Sequence, residues 1–130
     1  MKKETKLFAA YGTLMTGEGN HRCIEGAKSL GLVKTKPIYE MYHLGGFPGV
    51  HEGGKTSLTV EIFETDDERI IRSVNRLEGY NGIRGDQANN FYDTADVETE
   101  FGLAEIFIYQ GTPSETSKIE SGNWLERSKR

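Results

Sequence analysis

Glu78 is the residue of this sequence that is best placed to act as an acid or a base. It follows a segment from about Asp66 to Leu77 with apolar residues at helical spacing, and lies seven residues after Ile71 and four after Val74. On an α-helix it therefore extends the apolar face, and burial of a lone carboxylate raises its pKa toward the range that a base at pH 7 requires. In the alternative, Gly79 ends the helix, the last turn frays and the carboxylate lies in water.

The stretch YGTLMTGEGN could present backbone N–H groups to an anion. Gly12 and Gly17 have the spacing of the two glycines of a phosphate-binding loop, but Glu18 and Gly19 follow where that loop needs lysine and a hydroxyl residue. Because an acid there would repel phosphate, we expect no nucleotide site. The N–H groups of Gly12 and Thr13 could instead face a carboxylate or an oxyanion. A tight turn that needs glycine only for its dihedral angles would have the same sequence.

Length and charge restrict the class of protein. The 130 residues are enough for one domain, and we expect a single domain over residues 1–130. A net charge of −4 disfavours nucleic acid as a partner, since phosphate contacts need an excess of cations. No run reaches the ~20 apolar residues of a membrane span, and the start does not have the pattern of a signal peptide, so we expect a cytoplasmic protein. Cys23 has no second cysteine to pair with and is expected in the core.

The hydrophobic pattern predicts more strands than helices. One helix is expected from Asn20 to about Leu30, ended by Gly31, and another from Asp66 to Leu77, where Thr65 and Glu68 form a capping box. The predicted strands are Lys6–Tyr11, Leu32–Leu44 with an interruption at Pro37, a half-buried segment containing Leu58, Val60 and Ile62, Tyr92–Thr99 and Leu103–Tyr109, with a loop at Gly45–Gly49. This order favours an α+β fold in which a mixed-strand sheet closes toward a small β-barrel with few short helices.

Two motifs together resemble a known family. Tyr11-Gly12-Thr13-Leu14 and Leu77-Glu78-Gly79-Tyr80, at this separation, are similar to motifs of the gamma-glutamylcyclotransferase-like (AIG2-like) superfamily, in particular its gamma-glutamylamine cyclotransferase branch. The resemblance covers most of the chain and also includes Gly17–His21, Gly46–Gly49, Val60–Phe63 and Ser121–Trp124.

The resemblance implies a cavity at one mouth of the barrel and a chemistry that needs no metal or organic cofactor. Members of the family release 5-oxoproline and a free amine from a gamma-glutamyl amide, by attack of the substrate's own α-amino group on its γ-carbonyl. The expected partner is therefore a small-molecule gamma-glutamyl substrate. The family's catalytic glutamate corresponds to Glu78, its anion-holding turn to Tyr11, Gly12, Thr13 and Leu14, its cavity rim to Gly46, Phe47 and Pro48, and a pocket aromatic residue to Tyr92.

The sequence departs from the family pattern at two places. Thr94 stands where the family typically has an arginine, and a polar loop of eleven residues, Asn81 to Phe91, separates Tyr80 from Tyr92. We expect this loop to fold over the cavity as a lid, with Arg84 replacing the absent arginine; the alternative is a solvated surface insertion.

Other residues with chemical potential are expected to have structural roles. His21, His43 and His51 do not have the spacing of metal ligands, and Trp124 is expected to dock the end of the chain onto the barrel. Tyr92 could equally be a strand tyrosine that packs in the core, and residues 46–48 could be only a turn. Two further functions stay open: a binding or regulatory protein that keeps the cavity without turnover, and a hydrolase of the same amide bond.

Overall fold

The structure, a computed structural model, describes residues 5–86 and 88–126. Within those residues the chain forms seven strands and one α-helix, with short 3-10 turns at His21–Cys23, Glu115–Ser117 and Trp124–Glu126. The elements are β1 (Lys6–Ala10), β2 (Lys28–Lys34), β3 (Tyr39–His43), β4 (Pro48–Glu52), β5 (Thr59–Thr65), α1 (Glu68–Glu78), β6 (Tyr92–Thr99) and β7 (Gly102–Tyr109). In this part of the chain no helix has both the length and the apolar character of a membrane span.

The strands form one large sheet and a separate hairpin. The large sheet has the order β2-β5-β1-β7-β6; β1 runs parallel to β7, and the other neighbours are antiparallel. The hairpin pairs β3 with β4. The predicted α+β class with a mixed sheet is confirmed. The barrel, however, is not closed, because β2 and β6 remain the two edges of the large sheet and the hairpin packs on one face of it.

Each face of the large sheet has its own core, and the two cores bury both faces of its central strands. On one face, Ile62 of β5 and Ile106 of β7 pack with Met41 and Val50 of the hairpin. On the other face, Phe8 of β1, Phe63 of β5 and Phe107 of β7 pack with Val74 of α1. The strand at Leu58, Val60 and Ile62, predicted to be half-buried, is therefore covered on both sides, since neighbours pack on each face of the sheet.

Helix α1 follows the predicted apolar stripe with shifted ends. Its N-cap is Asp67, whose carboxylate accepts a hydrogen bond from the N–H of Arg69 at 2.9 Å, and not Thr65, whose hydroxyl instead accepts from the N–H of Asp67. Val74 is fully buried and Ile70 and Ile71 pack partly buried beside it. The helix extends one residue beyond the predicted end, so that its last residue is Glu78.

The predicted helix from Asn20 to Leu30 is wrong. Only His21–Cys23 forms a 3-10 turn, Gly26 has a φ of 102°, which no right-handed helix allows, and β2 begins at Lys28 opposite Glu64 of β5. The helical spacing of the apolar residues reflects packing instead: Ile24 is buried, and Cys23 and Ala27 lie against the same core as α1. Pairing with β5 thus outweighed the local pattern.

The segment from Leu32 to Leu44 contains two strands of different sheets and not one interrupted strand. β2 ends at Lys34 in the large sheet, and β3 starts at Tyr39 in the hairpin, with Pro37 between them. The predicted loop at Gly45–Gly49 is shorter than expected, because β4 begins at Pro48. The last two predicted strands are confirmed as β6 and β7.

Candidate functional site

The end of α1 is locked and does not fray. Gly79 adopts the left-handed conformation with φ 65° and ψ 34°. Its N–H donates to the carbonyl of Arg76 at 3.2 Å, and the N–H of Tyr80 donates to the carbonyl of Asn75 at 2.9 Å. These two bonds form a Schellman motif, which satisfies the last carbonyls of the helix. Glu78 is therefore held at a fixed place, directly before the glycine that ends the helix.

Glu78 lies on a cavity of about 310 Å³ between α1, the end of β1 and the start of β4. This volume is at the small end of the range for small-molecule sites. The interior of the cavity is formed by buried residues of the sheet, including Phe8, Ala10 and Phe107. The sites predicted from the sequence that line it are Tyr11, Gly12, Thr13, Leu14, Gly46, Phe47, Pro48, Glu78 and Tyr92.

The turn after β1 offers unused hydrogen-bond donors to this cavity. Within the described residues, the N–H groups of Thr13 and Leu14 take part in no hydrogen bond, while the next N–H, that of Met15, donates to the carbonyl of Gly12 at 3.1 Å. Thr13 and Leu14 both line the cavity. Adjacent N–H groups without an internal partner are suited to hold an anion or a developing oxyanion.

Gly12 is required by the packing of Pro48. A Cβ atom added at Gly12 would lie 2.5 Å from Cγ of Pro48, so only glycine permits the proline ring to approach this closely. The φ of Gly12 is not in the left-handed region, so the alternative of a glycine needed for its dihedral angles does not apply to it. Because Gly12 has no side chain, the turn after β1 packs directly against the start of β4, and both segments line the cavity.

Three side chains, those of Glu61, Asn20 and His21, hold the turn that follows Gly12. The buried carboxylate of Glu61 accepts from the N–H of Thr16 at 2.7 Å, from its hydroxyl at 2.6 Å and from the hydroxyl of Ser29 at 2.7 Å. Asn20, which lines the cavity, donates through Nδ2 to Oγ1 of Thr13 at 3.0 Å, and His21 contacts the carbonyl of Leu14 through Nδ1 at 2.9 Å. Hydrogen bonds to neighbouring side chains therefore fix the positions of Thr13 and Leu14.

The two tyrosines of the cavity use their hydroxyl protons for structural bonds. The hydroxyl of Tyr11 donates to the carbonyl of Phe107 at 2.7 Å, and that of Tyr92 donates to the carbonyl of Pro48 at 2.6 Å. Burial raises the pKa of both hydroxyls well above the ordinary value, and the nearby charge of Glu78 adds to this rise. Both groups stay neutral, and their oxygen atoms can still accept a hydrogen bond.

Burial raises the pKa of Glu78 from its ordinary value of 4.5 to about 7. No hydrogen bond to its carboxylate is found within the described residues, and no lysine or arginine lines the cavity there, so nothing offsets the loss of hydration. A carboxylate with this pKa is divided between its acid and base forms at neutral pH. It can take up a proton from one group and return it to another.

The comparison with models of protein families identifies one family over almost the whole chain. A family model described as "Gamma-glutamyl cyclotransferase, AIG2-like" matches residues 8–126. The chain belongs to this family. It is a cyclotransferase-like enzyme by that membership.

Relatives of the AIG2-like family are similar in sequence and in structure. A Vibrio cholerae protein provisionally named gamma-glutamylcyclotransferase is 37% identical over 93% of this chain and 96% of its own. The crystal structure of an uncharacterized Pyrococcus horikoshii protein has a TM-score of 0.73 and 30% identity, covering 93% of this chain and 91% of that one. The solution structure of ytfP from Escherichia coli has a TM-score of 0.65 and 26% identity, covering 95% and 99%.

Arg84, expected to replace the arginine of the AIG2-like family, does not line the cavity. Its Nε donates to the hydroxyl of Thr94 at 3.1 Å, and one terminal nitrogen lies 3.0 Å from Oδ1 of Asp96 and 3.8 Å from Oε2 of Glu105. The guanidinium thus lies beside the residue that stands in the place of the family arginine, but it is paired with two carboxylates. Its contact with a substrate stays a prediction.

The loop from Asn81 to Phe91 is organised by its own polar side chains. Asp86 accepts from Nδ2 of Asn81 at 2.8 Å, and buried Asn90 accepts from the N–H of Asn81 at 2.8 Å. Of the described residues of this loop, Phe91 alone lines the cavity. The loop therefore reaches the cavity through Phe91. Its role as a lid stays a prediction.

Sequence reasoning missed several residues of the site. Asn20 was interpreted as a helix cap, Leu77 as part of an apolar stripe, and Phe91 as part of a polar loop, yet all three line the cavity. The signal for Leu77 and Phe91 was their neighbours, since each directly precedes a predicted site residue. Phe8, Ala10 and Phe107 gave no signal beyond strand periodicity.

The histidines and Trp124 contribute to packing. The ring of His43 lies 5.1 Å from that of Trp124, and His51 lies 6.1 Å from Tyr109. In residues 5–86 and 88–126 no group of three or more His, Cys, Asp or Glu side chains could hold a metal ion. Trp124 is buried in the core on the hairpin side, and its indole N–H donates to Glu18 at 3.0 Å.

We expect Glu78→Gln to stabilise the fold at alkaline pH. The native protein keeps the proton of Glu78 up to pH about 7, whereas the unfolded chain loses it near 4.5, so the wild-type stability falls between these values and stays low above them. The shift corresponds to at most about 3 kcal/mol, which glutamine avoids because it has no charge to bury. Urea unfolding of both proteins from pH 4 to pH 8 measures the effect.

The stabilisation should be small at pH 4 and reach its maximum above pH 7. Glu120→Gln, which changes an exposed carboxylate, is the matched control and should give only a small change at every pH. A stabilisation by Glu78→Gln that is the same at pH 4 and pH 8 would show that the carboxylate is not desolvated in the native state.

Proposed function

We propose that this protein is a gamma-glutamylamine cyclotransferase, which converts a gamma-glutamyl amide into 5-oxoproline and a free amine. One observation carries the proposal: a carboxylate with a pKa of about 7 lies on the same small cavity as two backbone N–H groups that have no hydrogen-bond partner among the described residues. The names of the relatives agree with this reaction class.

In the proposed reaction Glu78 moves protons between the two nitrogens of the substrate. Its carboxylate takes a proton from the α-ammonium group, and the freed nitrogen attacks the γ-carbonyl carbon to form a five-membered ring. The bond from this carbon to the leaving nitrogen then breaks. One hydrogen of the original ammonium stays on the ring nitrogen and two are delivered to the leaving nitrogen, so the amine departs as an ammonium and Glu78 is again a carboxylate.

The turn after β1 would stabilise the charge on the reacting carbonyl. The N–H groups of Thr13 and Leu14 are proposed as donors to the oxyanion that forms when the nitrogen attacks, since they lie on the cavity with Glu78. Because nucleophile and electrophile belong to one molecule, the protein needs only to hold a folded conformer of the substrate. The tight packing of Pro48 on Gly12 supports such a preorganised site.

Product analysis tests the reaction. The protein is incubated with a gamma-glutamyl amino acid, a gamma-glutamyl isopeptide of lysine and gamma-glutamyl amides of small amines, and the products are separated by mass. We expect 5-oxoproline and the free amine from at least one of them. Free glutamate would instead indicate a hydrolase, and binding without any product would indicate a protein that keeps the cavity for ligand binding.

A further inference from the structure

The mouth of the cavity is apolar and is formed by Phe47, Leu77 and Phe91, which we call the apolar mouth. Phe91 is 50% exposed and Leu77 is 39% exposed, whereas the sheet residues Phe8, Ala10 and Phe107 that line the same cavity are buried. The rings of Phe47 and Phe91 pack against each other, with their centroids 6.3 Å apart. Apolar side chains that stay exposed and adjoin a cavity are typical of a binding site.

Phe91 is held in place at this mouth by its backbone. Its N–H donates to the carbonyl of Gly79 at 3.0 Å, and its carbonyl accepts from the N–H of Gln110 at 3.2 Å. A Cβ atom added at Gly79 would lie 2.9 Å from Cβ of Phe91, so the glycine after Glu78 permits this contact. The backbone of Phe91 is therefore held next to Gly79, the residue that follows the proposed base Glu78.

Among the residues that the structure describes, the mouth carries no charged group that could pair with a charged ligand. Among the described residues that line the cavity, Glu78 is the one charged side chain, and it lies on the end of α1. Arg84, the cation of the loop from Asn81 to Phe91, is paired with Asp96 and Glu105. A carboxylate or an ammonium group at the mouth would thus lose hydration without gaining a partner.

We propose that the apolar mouth selects the leaving amine, and that the preferred substrates are gamma-glutamyl amides of uncharged apolar amines. This inference rests on the proposed function, in which the γ-carbonyl lies between Glu78 and the N–H groups of Thr13 and Leu14, and it takes the leaving nitrogen to face the apolar mouth. The substituent on that nitrogen then contacts Phe47, Leu77 and Phe91. An aromatic or branched aliphatic substituent would cover their exposed surface.

Two substrate pairs that differ in a single charged group test the proposal. Gamma-glutamyl phenethylamide differs from gamma-glutamylphenylalanine by one carboxylate, and gamma-glutamyl butylamide differs from gamma-glutamyl putrescine by one ammonium. We expect kcat/KM to be at least about tenfold higher for the uncharged member of each pair. Equal values, or a preference for the charged member, would overturn the proposal.

Substitutions assign the preference to the mouth. Phe91→Ala and Phe47→Ala should each reduce the ratio of kcat/KM for the phenethylamide to that for gamma-glutamyl methylamide by about tenfold. Phe101→Ala, which removes an exposed ring that does not line the cavity, is the control and should keep the wild-type ratio. A ratio unchanged by both mouth substitutions would also overturn the proposal.

A binding measurement separates this inference from the proposed reaction. Calorimetric titration of the Glu78→Gln protein with each pair reports affinity without turnover, and the uncharged member should bind about tenfold more tightly. If the wild-type protein releases no 5-oxoproline from any substrate, the reaction fails, while the affinities still decide whether the mouth selects apolar groups. If 5-oxoproline forms but neither rate nor affinity prefers the uncharged member, the reaction stands and the inference fails.

Discussion

Glu78→Gln should lower kcat by about 10²- to 10⁴-fold on whichever gamma-glutamyl amide the wild-type protein converts best. Glutamine keeps the shape of the side chain but cannot accept the proton of the α-ammonium group, so the attacking nitrogen stays protonated. The carboxylate lies at a helix end locked by a Schellman motif, and the substitution leaves the backbone contacts of that motif intact. Initial rates of 5-oxoproline release measure the effect.

Stability and pH dependence distinguish a lost base from a damaged fold. Because glutamine avoids burial of a charge, the variant should unfold at a higher urea concentration than the wild-type protein at pH 8, even though it is inactive. In the wild-type protein, kcat/KM should rise with pH through about 7, as the free enzyme loses the proton of Glu78. A rise centred near pH 4.5, or a variant with wild-type kcat, would contradict the assignment of Glu78 as the base.

Gly12→Ala should lower kcat/KM by about 10²-fold and the free energy of unfolding by about 1–3 kcal/mol. The new Cβ would lie 2.5 Å from Cγ of Pro48, and the rigid proline ring cannot rotate away. Pro48 is itself held, since its carbonyl accepts the hydroxyl of Tyr92 at 2.6 Å. The turn must therefore move, and the N–H groups of Thr13 and Leu14 move with it. Kinetics and urea unfolding of the same preparation measure the two effects.

Gly19→Ala is the matched control for this substitution. Gly19 lies in the same segment, but a Cβ atom there would meet no other atom within 4 Å, and its φ is not in the left-handed region. Wild-type activity and stability are expected for Gly19→Ala. If Gly12→Ala behaved in the same way, Gly12 would not be needed for the packing of Pro48 and the turn would not be a preorganised part of the site.

Arg84 lies next to Thr94, which stands where the resemblance to the family implies an arginine. Thr94 is buried and accepts a hydrogen bond from Arg84, so a guanidinium lies next to the position at which the resemblance to the family implies one. It arrives from the loop after α1 and not from β6. Since Asp96 and Glu105 hold it, the cavity itself has no cation among its described residues. This arrangement is the physical basis for expecting uncharged leaving groups.

The predictions that succeeded concern residues whose environment is set by near neighbours in the chain. The stripe of Ile70, Ile71 and Val74 identified α1, and the two segments predicted on either side of the turn at Gly102 are β6 and β7. The motifs around Gly12 and Glu78 indicated the family before any coordinates. The predictions that failed, such as the helix after Asn20, concern a segment where pairing with β5 and a left-handed Gly26 outweighed the local pattern.

The sequence by itself determined the α+β class, the family, and the candidate base, because helix periodicity and the order of short motifs can be recognised along the chain without knowing how it packs. The tertiary structure alone decided that Pro48 is the reason for glycine at position 12, that Arg84 is paired away from the cavity, and that Phe47, Leu77 and Phe91 form its mouth. These contacts join segments that are tens of residues apart, and their geometry depends on how the sheet, the hairpin and α1 pack together. Burial, and with it the raised pKa of Glu78, arises only from that packing.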